Sequence, residues 1–162
     1  MSAHEAAKQI RMARSDLAEA QYKMGSAYFR GDGIPPSQAS AVKWWRIAAD
    51  CGDVNAQYEM GASYYEGTGV KMDKSKAAYW FRKAAEAGHM DAQYQLANAY
   101  DTGVGVPHDL NEAVRLYKKA AIAGQVRAQR VLGCLYDRGE GVPQSNSEAQ
   151  KWWRRAAAQS NT

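Results

Sequence analysis

The chain has 162 residues, 46% of them hydrophobic and 23% charged, which suits a folded domain and excludes a disordered one. Its net charge of +4 falls short of a nucleic-acid-binding signature, although it suits an acidic partner. No apolar run approaches the roughly 18 residues of a membrane span, and residues 1–8 lack the apolar core of a signal peptide.

The first candidate element lies over residues 4–15, where Ile10, Met12 and Ala13 have helical spacing. It lacks the loop motif that follows later, so residues 1–16 are expected to form a capping helix. From residue 17 a period of 36 governs the chain. Gly25, Gly61 and Gly133 keep it, with Ala97 in the missing slot. Tyr28, Tyr64, Tyr100 and Tyr136 keep it, as do Ala20, Ala56, Ala92 and Ala128. Each unit has a Gly-x-Gly loop beginning at Gly31, Gly67, Gly103 or Gly139. Each also has a bulky pair: Trp44-Trp45, Trp80-Phe81, Leu116-Tyr117 and Trp152-Trp153.

Each unit reads as two helices. Helix A is expected over 17–30, 53–66, 89–102 and 125–138, because Ala20, Met24 and Tyr28 and their equivalents share a face. It stops at the first glycine of the loop. Helix B begins after Ser37, Asp73, Asp109 and Ser145, all good N-caps. Asp109 with Glu112, and Ser145 with Glu148, have capping-box spacing. Gly52, Gly88 and Gly124 end helix B. Four units follow, at 17–52, 53–88, 89–124 and 125–160. With no linker between them, one cooperative domain is expected, since stacking buries what a lone helix pair cannot.

The residues Ala56-Gln57-Tyr58, Met60-Gly61, Tyr64, Gly67-Thr68-Gly69-Val70, Asp73, Lys76-Ala77, Trp80-Phe81, Lys83-Ala84-Ala85 and Gly88 resemble the Sel-one-like repeat (SLR) family, a relative of the tetratricopeptide repeats. The resemblance implies an all-α fold: a right-handed α-solenoid superhelix of four helix-turn-helix repeats with a concave surface. It also implies a non-enzymatic adaptor that binds a peptide or protein partner, in settings such as bacterial signalling, secretion or host contact. Two other roles are compatible with the sequence. One is a hydrolase or small-ligand-binding protein, by analogy with cysteine-rich relatives. The other is an immunity or regulatory partner of a toxin or effector. Cys51 and Cys134 occupy different columns of different repeats, so the paired-cysteine pattern of the cysteine-rich branch is absent. A reducing cytoplasm is the expected compartment.

If helix A lines the concave face, the partner-binding candidates follow from the columns beside the Gly-Tyr stripe. These are Tyr22, Ser26 and Phe29, then Asn55, Tyr58 and Tyr65. Asp91, Tyr94, Asn98 and Asp101 come next, then Arg127, Arg130 and Arg138. Tyrosine offers contact area with a polar handle at low entropic cost. Columns that vary between repeats are freer of packing constraints, so Asn98, Asp101, Arg130 and Arg138 are expected to select the partner. Trp152 and Trp153, on a last helix with no following repeat, are candidates for a weak homodimer through the C-terminal end. His4, His89 and His108 share no ligand spacing with one another or with the cysteines, so neither a metal nor another cofactor is expected. The Gly-x-Gly loops follow no strand and recur in every unit, which fits turns and not phosphate binding. No basic run alternates with aromatics, so no nucleic-acid partner is expected.

Overall fold

The computed structural model describes residues 3–160; residues 1 and 2 of the expected capping segment, with 161 and 162, lie outside it. Among the described residues there are eight helices and no strand. They are α1 (Ala3–Arg30), α2 (Gln38–Asp50), α3 (Val54–Glu66), α4 (Lys74–Glu86), α5 (Met90–Thr102), α6 (Leu110–Ile122), α7 (Val126–Arg138) and α8 (Asn146–Ser160). Odd-numbered elements are helix A of the four repeats and even-numbered ones are helix B. The expected boundaries hold within a residue, with one exception. The segment expected as a separate capping helix continues without a break into helix A. Arg14-Ser15-Asp16 contains neither glycine nor proline, so nothing there stops the helix. Ile10 and Met12, expected to cover the first repeat, are more than half exposed.

The chain divides into two compact units, residues 1–84 and 85–162. In the first unit α1 packs on α2, and α3 on both α2 and α4; in the second α5 packs on α6, and α7 on α6 and α8. The A–B contact inside a repeat is a glycine facing an aromatic ring. A Cβ on Gly25 would sit 2.6 Å from Trp45 Nε1, and one on Gly61 would sit 2.5 Å from Phe81 Cδ1. Bare backbone there lets the helices close on a flat ring. Repeat three departs, as its sequence does. Ala97 stands in the glycine column, and the Tyr117 ring is buried in the aromatic column.

Local hydrogen bonds explain the helix starts. Ser37, Asp73, Asp109 and Ser145 each accept from the backbone N–H three residues on, as N-caps. Their own N–H groups donate to the carbonyls of Tyr28, Tyr64, Tyr100 and Tyr136, at 2.8 to 2.9 Å. This tie to helix A is why the two expected capping boxes are only half formed. The cap N–H is already used, so Glu112 turns to Arg115 and Glu148 to Lys151.

Helix A of repeats two to four is capped by Asp53, His89 and Gln125, each accepting from the N–H of the alanine three residues on. The histidine cap works through Nδ1, at 3.2 Å from the Ala92 nitrogen, so it needs a neutral ring. Burial pushes the His89 pKa below its usual value, and Asp91 offsets this in part. A lowered folded pKa means that the unfolded chain binds the proton first. The stabilisation is therefore complete above the unfolded value of 6.5 and is lost as the pH falls below it. His89→Asn is expected to flatten the stability profile between pH 7 and about 5, by up to ~1 kcal/mol. Thermal melts across that range check it; an unchanged slope would sink the cap assignment.

Candidate interaction surface

The expected helix A residues separate into those that packing holds and those that it leaves open. In unit one, Phe29 is exposed and its ring lies 5.4 Å from Trp45. Tyr58 is half-buried, 5.7 Å from Phe81. Tyr65 is half-buried beneath Lys74, whose ammonium lies 3.4 Å from the ring centroid and donates to the Tyr65 carbonyl. Tyr22 is half-buried and Asn55 exposed. Ser26 is a correction, for it is buried and offers no open hydroxyl. It follows Gly25, where the Trp45 indole lies against α1, and a side chain this small is covered there.

In unit two, Tyr94 is half-buried and pairs with Tyr117 at 5.9 Å. Asp101 accepts from the Tyr117 hydroxyl at 3.2 Å, and Asp91 from Gln125 Nε2 at 3.3 Å. Burial, then the Asp101 charge, raises the Tyr117 hydroxyl pKa above its usual value, so it stays protonated and donates. Both carboxylates therefore have structural work, with part of each surface still open. Asn98 is half-buried, while Arg127, Arg130 and Arg138 are exposed. Arg138 reaches Glu140 at 4.0 Å, a weak surface pair. Tyr58 and Tyr94 thus pack on the A–B joint and show the rest of their surface to solvent.

The C-terminal pair needs a second correction. Trp152 is buried, with the Arg155 guanidinium 4.9 Å from its ring. Adjacent residues on a helix lie about 100° apart, so Trp152 and Trp153 cannot share one open face. Only Trp153 is exposed, at 38%, whereas Trp45, Phe81 and Tyr117 of its column are almost fully buried. It lies against Gly133 and donates Nε1–H to the Arg130 carbonyl at 3.4 Å. Arg130 stands where the other repeats have the tyrosine that can cover this ring. Arg130→Tyr is expected to shift Trp153 emission to shorter wavelength and to stabilise the chain by about 0.5–1.5 kcal/mol. Fluorescence and a melt check both; a red shift would count against it.

Some structural residues were not recognised from sequence. Gln57, Gln93 and Gln129 are buried and donate Nε2–H to the carbonyls of Ala49, Ala85 and Ala121 at 3.0 to 3.3 Å. Gln57 and Gln129 thereby tie helix A to the end of the preceding helix B. The signal was present, since Gln21, Gln57, Gln93 and Gln129 keep the 36-residue period. Among the described residues no group of three or more His, Cys, Asp or Glu could hold a metal ion, and no helix is long and apolar enough to cross a membrane.

Stacked helix pairs with a glycine–aromatic joint and a glutamine tie define a helical-repeat protein of the solenoid class. Sequence comparison identifies the Sel1 repeat four times, at residues 18–53, 54–89, 91–125 and 126–161, and the chain belongs to that family. Among solved structures it is similar to a protective antigen of uropathogenic Escherichia coli strains that has an SLR fold. There the identity is 39% and the TM-score 0.84, over 88% of this chain and 30% of that one. It is also similar to a Sel1 repeat protein from Oxalobacter formigenes, with 35% identity and a TM-score of 0.81 over 89% and 57%. Cysteine rich protein B of Helicobacter pylori shares the fold alone, with 21% identity and a TM-score of 0.61 over 81% and 98%. The chain thus spans about a third of the first of these proteins and somewhat over half of the second. Sel1 repeat proteins are in general non-catalytic scaffolds for protein interaction.

Proposed function

We propose that this chain is a non-enzymatic adaptor that takes a peptide or protein partner on its helix A face. The observation that carries this reading is the set of half-buried and exposed polar side chains of mixed charge on the helix A elements of unit two. There Asn98 and Asp101 on α5, and Arg130 and Arg138 on α7, occupy columns that differ from repeat to repeat. Packing demands the same residue in every repeat, while recognition of one partner does not. Tyr94, half-buried on α5, adds aromatic surface in the same unit. A reducing compartment belongs to the same proposal, and Cys51 and Cys134 are unpaired, exposed thiols.

The test is capture of a partner from native lysate by tagged chain, with the partner identified by mass spectrometry. The variant combines Asn98→Ala, Arg130→Ala and Arg138→Ala with Asp101→Asn, which keeps an acceptor for Tyr117. Expected are a stoichiometric partner for the wild type, at least about tenfold weaker capture by the variant, and an unchanged melting temperature. Equal capture by both would remove the patch from the proposal, and turnover of a small molecule in place of capture would overturn it.

A further inference from the structure

Helix α1 carries Ile10, Ala13, Leu17, Ala20, Met24 and Ala27 at alternating spacings of three and four, which places them on one stripe. Large and small residues alternate along it. Ile10, Leu17 and Met24 are 55%, 56% and 39% exposed, Ala13 and Ala20 are exposed, and Ala27 is half-buried. The equivalent positions of later repeats behave in the opposite way. Ala56, Met60 and Ser63 on α3, and Ala128, Leu132 and Leu135 on α7, are all buried. In each unit a preceding helix B, running antiparallel, lies against that helix: α2 on α3 and α6 on α7. Gln21 repeats the pattern. Its Oε1 is enclosed without a partner, as in Gln57 and Gln129, but its Nε2 meets no carbonyl of the described residues. Helix α1 therefore presents a stacking face shaped for an antiparallel helix, with no helix of this chain on it among the described residues.

We propose that the occupant is α1 of a second copy, the two running antiparallel about a twofold axis. Three observations select it. The first is the alternation of sizes. One antiparallel register sets Leu17 against the partner's Ala20, Met24 against the partner's Ala13 and Ile10 against the partner's Ala27, each pair occurring twice by symmetry. Every large side chain then meets a small one, whereas parallel pairing in register stacks large on large and leaves gaps at the alanines. The second is charge. This register brings Asp16 beside the partner's Lys23, twice by symmetry along one edge, while a shift by one heptad sets Asp16 beside the partner's Asp16 and Arg14 beside the partner's Arg14. The third is length. The stripe spans residues 10–27, beyond the reach of a 13-residue repeat helix and within that of the 28-residue α1. The partner helix continues, in the same antiparallel sense, the interface that α2 forms on α3. This site is separate from the helix A patch of unit two and does not depend on the C-terminal tryptophans.

Sedimentation velocity on the full chain tests it. The wild type is expected to dimerise within the micromolar range. Leu17→Glu is expected to weaken dimerisation at least about tenfold with helicity unchanged, since Leu17 is exposed in the single chain. Asp16→Lys and Lys23→Glu should each weaken it, and the double variant should restore it. The register is read by disulfide formation in a Cys51→Ser, Cys134→Ser background. A mixture of Leu17→Cys and Ala20→Cys chains is expected to cross-link, and Leu17→Cys alone is not. A wild type that stays monomeric to high micromolar concentration would overturn the proposal and assign the face to another occupant. So would self-linking by Leu17→Cys, which reports a parallel pair, or a dimer abolished by Trp153→Ala but not by Leu17→Glu.

Discussion

Gly69→Ala is expected to destabilise the chain by about 3 kcal/mol or more, while Gly33→Ala, one repeat earlier, loses only ~1 kcal/mol. Both residues are the second glycine of the Gly-x-Gly loop, and both have positive φ, +71° and +74°. A side chain at either position carries the same left-handed penalty. The difference lies in what surrounds them. A Cβ on Gly69 would strike the backbone carbonyl of Gln38, with the carbonyl carbon 2.7 Å away, whereas nothing lies within 4 Å at Gly33. Gln38 opens α2 just after its Ser37 cap, so its carbonyl is already held in the first turn and cannot yield. The alternative to a clash is to move the loop off α2, which opens the joint between the first two repeats. Gly141 is the intermediate case. Its Cβ would meet Val114 Cγ2 at 2.9 Å and Leu110 Cγ at 3.0 Å, which are side chains and not backbone. The order Gly33, Gly141, Gly69 in rising cost can be read by urea denaturation. Equal losses at Gly33 and Gly69 would show that the loop needs glycine for its turn alone.

The same comparison shows what was legible in the sequence. A 36-residue period of alanine, glycine, tyrosine and aromatic residues specifies two helices and a loop. Each of these is set by local chemistry, namely a cap, a left-handed turn or a stripe of apolar residues. Local signals of that kind recur wherever the letters recur, so the helix limits and N-caps could be read off directly. What the letters do not carry is who the neighbour is. Ala20 and Ala56 share a column, yet one is exposed and the other fully buried, because among the described residues only the second has a helix B packed on it. Trp153 shares its column with Trp45 but stays partly open, with Arg130 in place of the tyrosine of the other repeats. Ser15 and Asp16 look like helix starters, yet the helix passes through them because no breaker precedes them. The interaction surface was legible as columns and not as roles. Tyr58 and Tyr94 are held by rings on the partner helix, 5.7 and 5.9 Å away, and that division between joint and surface exists only once the helices meet.

The glutamine column yields the second large effect. Gln129→Ala is expected to lose about 2–3 kcal/mol, Gln129→Leu less than ~1.5 kcal/mol, and Gln21→Ala at most ~0.5 kcal/mol. Gln129 is 2% exposed and its Nε2 donates to the Ala121 carbonyl at 3.0 Å. Alanine removes that bond and leaves a cavity between α6 and α7. The carbonyl itself is not orphaned, because the Gly124 N–H still reaches it at 3.2 Å. Most of the loss must therefore come from packing and from the freed tie between the two helices. Leucine separates these terms. It fills much of the same volume and gives up the bond, but it also removes the Gln129 Oε1, which is buried without a partner. The gain from deleting an unpaired acceptor offsets the lost donor, since a buried polar atom left unpaired costs as much as a good hydrogen bond contributes. Gln21 lacks the carbonyl in the single chain, so its truncation reports the side chain without the tie. Denaturation of the three variants under dilute conditions, where any dimer has dissociated, checks the order. If leucine proves as damaging as alanine, the hydrogen bond and not the filled space is what joins one repeat to the next.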